Sequence, residues 1–314
     1  MSNRSLYILT VAIWGSTWIA IEYQLGVVAP EVSVFYRYAA AAIVLFGWCM
    51  LRGLNLRFDL PAHGRFVLLG LLLFGLNYVL TYYAQGYITS ALTAIAFSTM
   101  LWMNIINARL FFGVRAGRRV ITGSLLGIGG IVVLFLPQVS TLSLSDTTFF
   151  GAALCVLGAF IASLGNMVSQ GAQQAGLPIV QSNAWGMLYG AALTGFIAFA
   201  QGQTFNFDWS VGYVGSLLFL ILFGSIAAFG AYLTLLGRIG AHRAGYAVVM
   251  FPVVAVVISF LFEGLILSAN ILAGIALVLC GNLLILGSGH KTAVAGKPRY
   301  PMRRPWSLVS QAQR

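Results

Sequence analysis

Residues 31–51 read "EVSVFYRYAAAAIVLFGWCML". Beyond Arg37 the run carries no charge, no proline and one glycine. An α-helix needs roughly 20 mostly apolar residues to cross a bilayer, and this stretch supplies that length. A strand of a membrane barrel would alternate polar and apolar residues over about ten positions, and no such alternation is present. The stretch therefore reads as a membrane-spanning helix. Its arginine is the anomaly, because insertion of a guanidinium at mid-membrane costs about 2.5–3.5 kcal/mol.

The rest of the chain has the same character. Of 314 residues, 60% are hydrophobic and only 7% are charged, whereas soluble domains are about a quarter charged. Such a chain cannot build a charged shell around a soluble core. The class is an all-α polytopic membrane protein. Ten spans are expected, over residues 5–27, 31–51, 65–85, 89–112, 119–137, 147–170, 178–201, 211–237, 242–263 and 269–287. Turn and breaker residues separate them, among them Pro30, "NLRFDLP" (55–61), "AGLP" (175–178) and "GQTFNFDW" (202–209). The apolar stretch behind Arg4 carries Glu22 and runs on to about Val28, so it reads as a first span and not as a cleaved leader.

The net charge of +11 invites a nucleic-acid reading. Position excludes it. Ten spans put sixteen of the 17 basic residues on the side that holds both termini, while Glu31, Asp146 and Asp208 fall opposite. The positive-inside rule then places both termini in the cytoplasm. No nucleic-acid partner is expected; the bilayer and a small-molecule substrate are. Arg37 is the basic residue left over.

Cys49, Cys155 and Cys280 lie apart in apolar runs and read as small core residues. His63, His242 and His290 fall in loops or at segment ends, with no HExxH or CxxC spacing. No metal, cofactor or catalytic residue is expected, and no GxxxxGK[ST] loop is present. The chain does not read as an enzyme.

The sequence also repeats. At an offset of 151 residues "ARLFFG" (108–113) falls on "SFLFEG" (259–264), Gly123 on Gly274, and Gly130 on Gly281. Residues 1–138 and 147–287 thus form two five-helix repeats, with a basic cytoplasmic tail over 288–314. An odd number of spans per repeat inverts the second relative to the first, a pattern of secondary transporters that bind substrate near the midplane. Gly123, Gly127 and Gly130 in helix five, with Gly274 and Gly281 in helix ten, suit close packing inside the bundle. The chain is expected to function as a monomer.

"AIWGSTWIA" (12–20), an arginine early in helix two and the "LFEG" turn (261–264) resemble the EamA-type drug/metabolite transporter superfamily, most closely its YddG-type aromatic amino acid exporters. The resemblance covers about 1–287. It implies a pore between the halves built by helices one to four and six to nine, with five and ten outside. One departure is Phe112, where an acid often stands; only Glu263 keeps it.

Candidate substrate-binding residues follow from polar and aromatic side chains at helical spacing. They are Trp14, Thr17 and Trp18 in helix one; Tyr78 and Tyr82 in helix three, beside Asn77 and Thr81; Ser98, Thr99 and Trp102 in helix four; and Ser163 and Asn166 in helix six. Helix eight adds Tyr232 near Phe229, and helix nine adds Tyr246 and Met250. Deep tyrosines need partners, which a wet cavity supplies; interhelical packing by the smaller polar residues is the alternative. Arg37, about 9 Å inside helix two at 1.5 Å per residue, has three readings: a structural ion pair with Glu22 at similar depth, a contact to a substrate carboxylate, or snorkelling to headgroups. Pro252 is a candidate hinge in helix nine.

These features point to a secondary transporter that exports small metabolites by alternating access, aromatic or hydrophobic amino acids first. Rivals are a transporter of amphipathic drugs, one of nucleotide-sugar-like metabolites, for which several midplane cations would be needed, a membrane-embedded enzyme, and a simple channel.

Overall fold

The computed structural model describes residues 1–88, 90–134, 136, 146–262 and 268–286, and among them it is helical with no strand. Helix α1 (Asn3–Glu22) starts where the Ser2 hydroxyl accepts from the Ser5 amide, and it ends before Gly26, whose φ of 114° no continuing helix allows. Helix α2 (Pro30–Leu51) opens on a proline, whose missing N–H is one of those left free at a helix start. Asp59 caps α3 (Leu60–Gln85) by accepting from Ala62 N. Helix α4 runs in two pieces, Ser90–Ser98 and Met100–Phe112, and stops at Gly113 in the left-handed region. Then follow α5 (Arg118–Leu134), α6 (Asp146–Gln174), α7 (Ile179–Ala200) and α8 (Val211–Ile239). A turn of helix at Ala241–Ala244 leads into α9 (Ala247–Phe262) and α10 (Ala269–Leu286).

Some boundaries differ from the expected spans. The first helix closes at Glu22 and not near residue 27, because Gly26 and Pro30 impose a turn. The third begins five residues before Arg65, because the Asp59 cap and Pro61 start it earlier. Two π-helical segments, Gly70–Leu76 in α3 and Leu220–Ala227 in α8, had no expectation at all; they start 150 residues apart. Glu263 and Gly264 of the "LFEG" turn, residues 137–145 after α5 and the tail 288–314 lie outside the described residues.

The packing has a two-fold pattern. Helix α5 lies against α10, and α2 against α7. Helix α1 packs on α8 and α9, while α6 packs on α3 and α4. The close contacts show how the paired helices run. A Cβ on Gly123 would lie 2.7 Å from the Gly281 carbonyl oxygen, and one on Gly130 would lie 2.8 Å from that of Gly274. As numbering rises along α5 it falls along α10, so the two are antiparallel. Phe46 stacks edge-on with Trp185 at 5.0 Å, and Gly195 abuts Phe35, so α2 and α7 are antiparallel too. Without a hydrophobic drive between helices in lipid, such backbone approaches at glycine supply the packing.

The exterior is apolar. Ile8, Ile43, Leu125, Phe196, Phe199 and Leu283 are all more than half exposed. Soluble monomers seldom show such surfaces, and a bilayer covers them. Among the described residues, five helices are long and apolar enough to cross a membrane: Asn3–Glu22, Pro30–Leu51, Leu60–Gln85, Thr147–Gln174 and Val211–Ile239.

Candidate functional site

A cavity with about 590 Å³ of empty space, counting its mouth, lies where α1, α3 and α4 meet α6, α8 and α9. Helix α1 contributes Trp14, Thr17, Trp18 and Ile21; α3 contributes Leu73, Asn77, Tyr78 and Thr81. Phe97 and Met100 come from α4, Ala162 and Asn166 from α6, Phe229 and Tyr232 from α8, and Val248 and Phe251 from α9.

Trp14 organises the aromatic part. Its ring lies 4.8 Å from Phe229, 5.0 Å from Tyr232 and 5.8 Å from Phe251. Its Nε1 donates to the Gly224 carbonyl at 2.9 Å, within the π-helical stretch of α8. Widened π turns recur at functional sites. Here that turn supplies a backbone acceptor to α1 and, through Ser225, a hydroxyl to α2. Trp18 faces Phe97 at 6.0 Å, and its Nε1 has no protein partner.

Polar groups on the wall are few. Asn166 Nδ2 donates to Asn104 Oδ1 at 3.2 Å and to the Tyr232 hydroxyl at 3.1 Å, joining α6, α4 and α8. The Asn77 and Asn166 side-chain oxygens are buried without partners. A buried amide oxygen left unbonded is costly, so these atoms are suited to water or to a polar part of a bound molecule.

Of the residues singled out by sequence, Trp14, Thr17, Trp18, Asn77, Tyr78, Thr81, Asn166, Phe229 and Tyr232 line this cavity, and the others lie elsewhere. Ser163 accepts from Asn107 Nδ2 at 2.9 Å and ties α6 to α4. Ser98 is buried, and Thr99 returns its hydroxyl to the Ala96 carbonyl at the break in α4. Trp102 packs on the core from that helix. Tyr246 is turned away from the cavity: its hydroxyl donates to the Val278 carbonyl at 3.0 Å, under Gly127 and Gly281. Met250 faces Asn282 on α10. Pro252 sits inside α9, one residue beyond Phe251. Phe97, Met100, Val248 and Phe251 are wall residues that sequence reasoning missed, since an apolar side chain facing a cavity looks like one facing lipid.

Arg37 requires a correction. It does not pair with Glu22, which is exposed at the end of α1, and no ion pair forms among the described residues. Arg37 is 1% exposed. Its Nε donates to Ser225 Oγ at 2.8 Å, and its Cζ lies 4.6 Å from the Tyr78 ring centre and 5.2 Å from that of Tyr38. Equal depth in neighbouring helices did not make a pair, because α2 turns this side chain towards α8. The snorkelling reading fails with it, since the guanidinium points into the bundle. Among the described residues the buried carboxylate is instead Glu31, which accepts a hydrogen bond from the Tyr83 hydroxyl.

Residues 4–136 and 149–287 each match the EamA-like transporter family. The chain belongs to that family. Two copies of the family's unit cover nearly all of the described helices, one ending with α5 and the other beginning in α6. Among EamA relatives, the uncharacterized transporter YoaV of Bacillus subtilis is 26% identical over 86% of this chain and 91% of its own length. The uncharacterized inner membrane transporter YedA of Escherichia coli is 27% identical over 78% of each chain. Protein PagO of Salmonella typhimurium is 23% identical over 91% of this chain and 93% of its own length. A solved crystal structure superimposes with a TM-score of 0.74 at 17% identity, over 90% of this chain and 96% of that one, and so shares the fold. The chain is a polytopic membrane transporter of the EamA-like family, and relatives such as YoaV and YedA are named as transporters. Neither the family nor those names indicate a substrate.

Proposed function

We propose that this EamA-like protein is a secondary transporter that exports small amphipathic metabolites, aromatic or hydrophobic amino acids first, across a bacterial inner membrane. Both termini would lie in the cytoplasm, as the distribution of basic residues favours. Ten spans in two inverted halves would expose the cavity alternately to each side.

The observation that carries this reading is the cavity itself. It lies between the two copies of the family unit, with three helices of each on its wall. The antiparallel α5–α10 and α2–α7 pairs support an inverted relation between the halves. At the sequence offset of 151, the Gly123–Gly281 contact maps onto Gly274–Gly130, as a two-fold axis in the membrane plane requires. Phe35–Gly195 likewise maps onto Trp185–Phe46 within two residues of that offset. The π segments in α3 and α8 obey the same exchange.

The cavity wall favours an aromatic or apolar solute with a few polar atoms. A phosphorylated or nucleotide-linked sugar would need several cations near the midplane, and among the described cavity residues there is none. The drive is read as the solute's own gradient. Uptake of radiolabelled amino acids into proteoliposomes, run as a panel, tests the proposal. Aromatic members should move fastest and Trp14→Ala should slow them at least tenfold, about 1.4 kcal/mol of lost contact. Equal rates with empty vesicles across the panel would sink it.

A further inference from the structure

We infer that Arg37, Tyr38 and Tyr82 form a carboxylate subsite beside the cavity, so that the transported solute is a monoanionic acid, or a zwitterion with a free carboxylate, on an aromatic or apolar body. The inference rests on the cavity reading above and narrows it.

The argument is one of donors without acceptors. A guanidinium carries five N–H donors and no acceptor. In Arg37 the Nε proton goes to Ser225, but the fully buried Nη1 has no partner. The Tyr38 and Tyr82 hydroxyls are also buried, and neither meets a partner at full hydrogen-bond geometry, although Tyr82 lies within reach of Arg37 and Tyr38 within reach of Tyr78. Both phenols lie close enough to act electrostatically on the guanidinium. A phenol oxygen can receive an Arg37 proton, yet its own proton then still needs an acceptor. The cluster therefore holds surplus hydrogen-bond donors and one full positive charge. Buried donors of this kind are costly unless something accepts from them, and a membrane-embedded cation without a partner is rarer still.

The protein's own carboxylates do not serve among the described residues. Glu22 is exposed, and Glu31 accepts from Tyr83 with one oxygen, keeps its other oxygen buried without a partner, and forms no ion pair with Arg37. A carboxylate offers two oxygens with about four lone-pair sites and binds guanidinium through strong, charge-assisted bonds. One guanidinium matches one negative charge, which sets a carboxylate apart from a phosphate dianion.

Access is through Tyr78. Its ring lines the cavity on one side and covers the Arg37 guanidinium on the other, at 4.6 Å. Thr17 on the cavity wall and Arg37 Nη2 also meet at one point, since a Cβ on Gly224 would lie 3.2 Å from the first and 3.3 Å from the second. Turning the Tyr78 ring aside is the opening this subsite requires, since that ring is what stands between the guanidinium and the cavity.

Binding to the detergent-solubilised full chain tests the inference, read by quenching of tryptophan fluorescence, since Trp14 and Trp18 line the cavity. Four probes separate the groups: 3-phenylpropanoate, L-phenylalanine, L-phenylalanine amide and phenethylamine. The two carboxylates should bind at least about tenfold tighter than the amide and the amine, the ratio expected for losing one charge-assisted bond. Tyr82→Phe removes one oxygen and keeps the ring, so it should fold normally and shrink that ratio several-fold. Arg37→Lys should remove the fork geometry and abolish the preference. Melting temperatures report folding separately. Tight binding of all four probes with no preference would overturn the subsite and leave the cavity reading intact. So would a preference that survives both substitutions. Absence of binding by all four would overturn the aromatic-solute reading, and the subsite with it.

Discussion

Arg37 Nε donates to Ser225 Oγ over 2.8 Å, and this bond joins α2 to the π-helical stretch of α8. Both groups are buried, Ser225 completely. Ser225→Ala leaves a buried guanidinium N–H without an acceptor. The expected cost is about 1–3 kcal/mol, the range for orphaning a buried donor. A melting temperature in detergent several degrees below wild type checks this, and Ser225→Thr, which keeps the oxygen, should restore most of it. An unchanged melting temperature for Ser225→Ala would show that the bond contributes nothing.

The glycines of α5 give a second, internally controlled prediction. A Cβ at Gly130 would lie 2.8 Å from the Gly274 carbonyl, whereas one at Gly129 meets nothing within 4 Å. Gly130→Ala must push α5 from α10, with an expected loss of about 1–3 kcal/mol from overpacking. Gly129→Ala should be neutral or stabilising by up to about 1 kcal/mol, the helix propensity gain of alanine over glycine. Melting both variants side by side decides the matter, and equal effects would mean that the α5–α10 approach is looser than the contacts require.

How far the sequence could be read depended on what each residue type reveals. A charge is visible wherever it falls, so the spans, their breaks and the anomalous Arg37 stood out. Trp14, Thr17 and Trp18 were legible because polar atoms at helical spacing in an apolar helix need a reason. The Glu22–Arg37 pairing was not, because depth along a helix says nothing of the direction a side chain takes around it. Tyr246 misled in the same way: its hydroxyl did need a partner, but found it in the Val278 carbonyl and not in a cavity. The π turns left no compositional mark, and yet Gly224 and Ser225 within one of them hold Trp14 and Arg37.

His242 yields a prediction about pH. It lies in the short turn helix Ala241–Ala244, between α8 and α9 and outside the spans. Burial, aided by the charge of Arg243, pushes its imidazole down to about 4 from an ordinary 6.5. The folded state therefore holds the ring neutral, while the unfolded chain binds a proton below about pH 6.5. Stability from this group is complete above that value and drains as pH falls towards about 4. The expected loss across that window is of order 1–3 kcal/mol, at 1.36 kcal/mol per pH unit less solvent relaxation. Melting curves in detergent between pH 4 and 8 should slope accordingly, and His242→Gln should flatten them. Parallel curves for the two proteins would exclude His242 as the source.

Pro252 gives the last prediction, which concerns movement more than stability. It stands inside α9, where it offers no N–H to the carbonyl of Val248, four residues earlier. Val248 and Phe251, which flank the missing bond, both line the cavity. A helix lacking one rung at the cavity wall bends there more easily than elsewhere. Pro252→Ala should restore the rung. It should raise the melting temperature, since proline costs about 3 kcal/mol relative to alanine in a helix interior. If α9 bends during alternation, the same substitution should slow turnover in proteoliposomes several-fold while leaving equilibrium binding in detergent unchanged. Stability and turnover thus move in opposite directions, a combination that general misfolding cannot produce. A stabilised variant with wild-type turnover would show that Pro252 shapes the resting cavity without acting as its hinge.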